Sequence, residues 1–169
     1  MTTPAITPQG DPSARNTEPH EPRNGQTVSG VTFKVPGPPK GKPRHRTRKG
    51  GHSYPDPEGL TWEARVLNAF LASVPPGTTF PIFPKGVPVR LSIILQVELP
   101  RSKHRKKPVP AQWCTAKPDW DNAGKLIGDA LNGYLWADDA QIVDANAQKY
   151  YGEQGQPPFT QIRASLASF

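Results

Sequence analysis

Cysteine is almost missing from this chain. Cys114 stands alone, so no internal disulfide can form, and no Cys/His set has the spacing of zinc ligands. Any metal is therefore to be held by oxygen ligands. Long apolar runs are missing as well: no stretch approaches the roughly 20 apolar residues of a spanning helix, and the N-terminus lacks the apolar core of a secretory signal. A cytoplasmic protein with no membrane partner is expected. Acidic residues are the minority charge, 14 Asp and Glu against 21 Lys and Arg, which leaves a net charge of +7 and a pI near 9.7. A surface of that sign gathers polyanions. Nucleic acid and an anionic membrane would satisfy the charge equally, and the missing apolar segments weigh against the membrane.

No internal repeat is visible. A chain of 169 residues suits one domain with a real core and is too short for two ordinary ones. Residues 1–28 hold hardly any large apolar side chains but five prolines, Pro4, Pro8, Pro12, Pro19 and Pro22. Such a segment cannot offset its ordering entropy. A disordered, proline-rich tail is predicted there, and a folded domain over residues 29–169.

Within that domain Val31, Phe33 and Val35 alternate as a first strand does, and Pro36-Gly37-Pro38-Pro39 stops it. A basic loop follows, and Asp56-Pro57 offers a helix start. Leu60, Ala64, Leu67 and Leu71 then mark a helical face. From Val89 to Leu99 the alternation is clean, with Arg90, Ser92, Gln96 and Glu98 mostly on the opposite side. A second helix is predicted from Asp121 to Leu131, with Leu126, Ile127, Ala130 and Leu131 apolar and Asn132-Gly133 as its stop. A strand from Gln141 to Tyr151 is expected to carry Val143, Ala145 and Ala147 on one face, and a last strand carries Ile162, Ala164 and Leu166. The fold class is α/β (α+β), a small mixed sheet of about four strands with two main helices in the order β-α-β-α-β-β.

Positive charge is concentrated. Lys40, Lys42, Arg44, Arg46, Arg48 and Lys49 form one run and Arg101, Lys103, Arg105, Lys106 and Lys107 another, together 11 of the 21 basic residues. These runs suit DNA phosphates, giving salt-dependent and largely sequence-independent binding; solvated loops are the plainer reading. Between Asp119 and Asp144 the sign inverts. Six aspartates (Asp119, Asp121, Asp129, Asp138, Asp139, Asp144) share that stretch with one basic residue, Lys125.

Asp119 and Asp121 flank a helix start and can point into one space, while Asp138 and Asp139 precede a strand able to return beside it. Magnesium takes hard oxygen ligands, usually one or two carboxylates with water and phosphate, so Mg2+ fits this set, with Mn2+ as a substitute. Bound ions would suit in-line phosphodiester hydrolysis. Lys125, one turn after Asp121, could reach the same mouth and stabilise charge on the phosphate. Ordinary helix pairs of Lys125 with Asp121 or Asp129, and a solvated Asp138-Asp139 turn, explain the same residues when each is taken alone. An EF-hand reading fails, because Ala123 and Ala130 stand at the fifth and twelfth ligand positions.

Taken together, Lys117-Pro118-Asp119-Trp120-Asp121-Asn122, Lys125, Asp129-Ala130-Leu131-Asn132-Gly133 and Asp138-Asp139-Ala140-Gln141-Ile142 resemble the RusA family of Holliday junction resolvases. Val35-Pro36-Gly37-Pro38-Pro39-Lys40 through Pro43-Arg44, with Tyr54, looks like the family's N-terminal portion, so the likeness spans residues 31–166. The resemblance implies a small mixed α/β fold, a homodimer, magnesium-dependent cleavage of four-way DNA junctions, and a role in phage or bacterial recombination and repair. It also implies that Asp119, Asp121 and Asp139 are the metal-binding and catalytic carboxylates, Lys125 the catalytic lysine and Asp138 a neighbouring ligand candidate.

Two features depart from the pattern: the tail, and the glycines Gly124 and Gly128 within the second helix, which lower its intrinsic stability. Spaced four apart, they could admit another element, from the second subunit or from the same chain. Trp113, Trp120, Trp136 and Tyr134 could stack on unpaired bases, but core packing is the expected role, above all for Trp136. His45, His52 and His104 read as loop polar or phosphate contacts, and no catalytic histidine is assigned. Two rival functions stay open: a basic DNA-binding module that does not cut, and a metal nuclease for flaps, forks or RNA hairpins.

Overall fold

The computed structural model describes residues 30–42 and 57–168. The expected tail lies outside the described residues. So do Arg44, Arg46, Arg48, Lys49, His45, His52 and Tyr54 of the first basic loop. The described elements run in the order β1 (Gly30–Pro36), α1 (Pro57–Leu71), β2 (Val89–Val97), β3 (Gln112–Trp113), α2 (Trp120–Leu131), β4 (Ile142–Tyr151) and β5 (Phe159–Leu166), with short 3-10 turns at Arg101–Lys103 and Asp139–Gln141. The fold is mixed α+β with two helices, as expected, but it has five strands rather than four. The additional strand, β3, is only two residues long, too short to leave an alternation in the sequence.

The sheet order is β1-β5-β2-β4-β3. β5 lies antiparallel to both β1 and β2, β4 runs parallel to β2, and β3 is antiparallel to β4. One face is apolar because the alternating residues of three strands coincide there: Val31, Phe33 and Val35 of β1, Val89, Leu91, Ile93 and Leu95 of β2, and Ile162 and Ala164 of β5. Both helices cover this face. α2 contributes Ala123, Leu126, Ile127 and Leu131, which agrees with its predicted apolar side except that Ala130 is only partly buried.

The expected face of α1 is largely wrong: of its four residues only Leu67 packs against the core. Leu60 and Leu71 are 55% and 37% exposed, whereas Trp62, Val66 and Phe70 are buried. Spaced four apart, these three form a competing stripe, and its two aromatics hide more apolar area than leucines do. The Phe70 ring stands 5.7 Å from Phe33 and 5.8 Å from Phe80.

β2 ends at Val97, short of Leu99, which joins a small second cluster with Cys114 and Tyr151. Gln96, expected on the polar side, is buried beneath the return from β4 to β5. Its Nε2 donates to the Pro157 carbonyl at 2.8 Å. β4 departs further. Its register slips at the start, so that Val89 faces Ile142 but Arg90 faces Asp144. Val143 is thereby the extra residue of a bulge, 65% exposed, and leaves the face it was expected to share with Ala145 and Ala147. Those two, followed by Lys149, stand opposite Leu91, Ile93 and Leu95. Among the described residues no helix is long and apolar enough to cross a membrane.

Candidate active site

α2 begins at Asp119, which occupies the N-cap position with extended backbone (φ −71°, ψ 137°), yet its side chain makes no capping bond. An N-cap aspartate ordinarily spends an oxygen on the helix's free N–H groups. Here the carboxylate is exposed, and Asn122 Nδ2 donates to its Oδ2 at 3.5 Å. Two residues on, Asp121 receives Lys125 Nζ at 3.4 Å. The i,i+4 pair anticipated from sequence therefore exists, in solvent, where such pairs contribute little to stability. α2 stops where predicted: Asn132 is its C-cap, and Gly133 takes a φ of 79° that side chains rarely adopt.

Asp121, Gly124 and Gly128 recur at helical spacing and share one stripe of α2. Asp139 comes down on that stripe from outside the helix. A Cβ at Gly128 would lie 3.8 Å from Asp139 Oδ2, while nothing lies within 4 Å of one at Gly124. The element admitted by the glycine pair is thus Asp139 of the same chain. Seven residues of helix rise separate positions 121 and 128, roughly 10 Å. Asp121 and Asp139 consequently overlook the two ends of a lane that the glycines keep free of side chains, with Lys125 between them. Among the described residues no three His, Cys, Asp or Glu side chains stand together closely enough to hold a metal ion, as that separation requires.

The Asp139 turn is held by a residue that sequence reasoning missed. Gln141 Oε1 accepts from Ala137 N and Asp138 N, each at 3.0 Å, and its Nε2 donates to the carbonyls of Pro84 (2.7 Å) and Val87 (2.9 Å). All four bonds are directional, and the side chain is buried. Asp138 caps the turn, accepting from Ala140 N at 2.9 Å, so one oxygen of this ligand candidate is already engaged. Asp139 remains exposed.

The first basic segment docks on α2. Lys42 N donates to Asn122 O at 2.9 Å, and a Cβ on Gly41 would meet Asn122 Cβ at 3.0 Å. The Lys42 ammonium is paired with Asp129, the partner that sequence spacing had offered to Lys125. Its pKa is raised above the ordinary lysine value, first by the hydrogen bond it donates to Asp129, an effect that burial opposes in part, and further by the negative charges of Asp129, Glu63 and Asp139. Lys42 therefore belongs to the electrostatics of the acidic lane. Lys40 is exposed.

Arg101, Lys103, Arg105, Lys106 and Lys107 are all exposed. Their loop is anchored at its middle: His104 Nε2 lies 3.0 Å from Leu99 O, and Gln154 exchanges hydrogen bonds of 2.9 and 3.0 Å with the Arg105 main chain. Lys103 sits over the Tyr151 ring at 4.5 Å. Of the four aromatics assigned to packing, Trp136 is fully buried, but Trp113 and Trp120 are 72% and 62% exposed and Tyr134 is 38% exposed. Trp120 is the first residue of α2, directly between Asp119 and Asp121, where the helix start has no core beneath it to receive an indole.

The RusA endodeoxyribonuclease family model matches residues 36–162 of the chain. The protein YqaN of Bacillus subtilis (strain 168) is 30% identical over 128 residues, which covers 73% of this chain and 89% of YqaN. The match takes in the docked basic segment, both helices and Asp119, Asp121, Lys125, Asp138 and Asp139. The chain belongs to the RusA family, Holliday junction endodeoxyribonucleases that hydrolyse phosphodiester bonds.

Proposed function

We propose that this chain resolves four-way DNA junctions in recombination and repair by magnesium-dependent hydrolysis, and that Asp119, Asp121, Asp139 and Lys125 carry the reaction. The supporting observation is the lane on α2, with exposed carboxylates at both ends, a lysine between them and glycines where side chains would obstruct it. By donor chemistry the residues fit Mg2+ or Mn2+, hard ions usually held by one or two carboxylates with water and phosphate. When bound, such an ion supplies a Lewis acid and an acidified water. Asp119 and Asp121 would hold it at the start of α2, and Asp139 would face the other end of the scissile segment. Asp138 is the weaker ligand, since its Oδ1 caps the turn.

Lys125 is free to exchange its solvent-exposed partner Asp121 for a phosphate oxygen and so stabilise the charge that develops there. The basic runs, including Arg44, Arg46, Arg48 and Lys49, would hold the backbones of the branched DNA. A homodimer would present two such lanes to a two-fold junction. Its setting would be the cytoplasm of a bacterial or phage-infected cell.

The test is cleavage of a synthetic four-way junction in magnesium. Asp121→Asn is expected to abolish cutting while retaining or tightening junction binding, because it removes a metal ligand and a negative charge together. Unchanged cleavage would refute the site, and equal cutting of plain duplex would refute junction selectivity. The rival reading is a DNA-binding module that does not cut, which the exposed cations of residues 101–107 would serve equally well. Metal-independent binding without cleavage by the wild type would establish that reading.

A further inference from the structure

Lys149 occupies an odd place. It lies on the face of β4 whose preceding members are Ala145 and Ala147, in register with Leu95 of the core. The side chain is half-buried there, so its ammonium gives up part of its water and takes hydrogen bonds in exchange. Those bonds come from one short segment: Lys149 Nζ donates to the carbonyls of Ala116 and Pro118, the latter at 2.8 Å. The main chain at the same residue adds another, Cys114 N to Lys149 O at 3.1 Å. Lys149 thus fastens the crossing from β3 to α2 to the sheet through both its main chain and its side chain, and the fastening ends at the peptide that leads into Asp119.

Asp119 needs that support. Its side chain makes no cap bond that would fix it to the helix, so its position follows from the backbone that precedes it. We propose that Lys149 is a positioning residue for the carboxylates at the start of α2, setting the geometry in which Asp119 and Asp121 receive a divalent cation. The proposal rests on the assignment of those two aspartates as metal ligands. Lys149 does not itself touch metal or substrate; it acts through the Pro118–Asp119 peptide. Residues in this relation to a metal site typically alter affinity or activity about 10–100-fold when replaced.

The experiment measures Mn2+ binding by the full chain, without DNA, from the loss of the free-ion electron paramagnetic resonance signal, and the metal dependence of junction cleavage in parallel. Wild type, Lys149→Arg, Lys149→Gln, Lys149→Met and Asp121→Asn are compared. Arg keeps the charge and several donors, Gln keeps donors without charge, and Met keeps only the stem. Mn2+ affinity is expected to fall in that order, by about tenfold or more for Lys149→Met. The magnesium midpoint for cleavage should move upward by a similar factor while the rate at saturating metal recovers. Arg and Gln keep the proposal testable if Met impairs folding. Wild-type Mn2+ affinity and midpoint in Lys149→Gln and Lys149→Met, with Asp121→Asn weakened, would overturn the role of Lys149 alone. Undiminished binding by Asp121→Asn would overturn the metal site, and this proposal with it.

Discussion

Gln141 shows how one neutral side chain can set the position of a charged one. Its amide pairs two N–H groups with two carbonyls across the Asp138-Asp139 turn, a pattern that only an amide of this length matches in both directions. Gln141→Leu should leave buried partners unmet and destabilise the fold by about 2–3 kcal/mol in urea titrations. Gln141→Glu gives a sharper test. An ionised carboxylate would face the Pro84 and Val87 carbonyls, and burial among them would raise its folded-state pKa. The folded state then binds the proton more tightly than the unfolded state, so the variant's deficit relative to wild type is largest at neutral pH and shrinks as pH falls through that pKa. Equal deficits at pH 7 and pH 5 would count against the assigned hydrogen bonds. From sequence, Asp139 was legible as an acid beside a strand, whereas Gln141 looked like the first residue of that strand. Lys149 was hidden for a different reason: alternation puts it on the face of Ala145 and Ala147, but its partners, the Ala116 and Pro118 carbonyls, lie far off in sequence and meet it only in the folded chain.

At the scale of elements, α2 was readable almost to its ends because cap, apolar stripe and stop all agree. α1 was not. Two stripes of four-residue spacing overlap in it, and the choice between Leu60-Ala64-Leu67-Leu71 and Trp62-Val66-Phe70 depends on the sheet it meets. The stripes make opposite predictions for denaturation midpoints. Phe70→Ala should cost about 3–5 kcal/mol, as deletions of a buried aromatic do, and Leu60→Ala about 0.5 kcal/mol or less, as exposed changes do. The reverse order would restore the face expected from sequence. β3 was illegible on length alone, yet it delivers the chain to the start of α2. The Lys42–Asp129 pair joins residues that spacing within one helix could not relate, and it was concealed by the closer match of Asp129 to Lys125.

Across the whole molecule, charge has a direction. Acid runs along α2, where Lys42 pairs with Asp129, and the cations of residues 101–107 stand exposed on the loop that follows β2. Replacing Lys106 and Lys107 together by alanine is expected to weaken junction and duplex binding alike. The slope of log affinity against log salt should fall by about two if each lysine neutralises one phosphate. An unchanged slope would show that these lysines do not touch DNA. The basic composition announced such a partner at once, but composition could not say that the carboxylates would stand in a row instead of a cluster. That arrangement comes from the docking of the Asp139 turn at Gly128, a tertiary contact.

The placement of β5 has a consequence for the life of the protein in the cell. Within the described sheet β1 is joined to the other strands only through β5. In a growing chain residues 30–36 therefore have no strand partner until residues 159–166 have been made. The segment that brings Lys42 to α2 hangs from that waiting strand. The sheet beneath α2 is thus completed only once β5 has been made, after every residue of the lane itself.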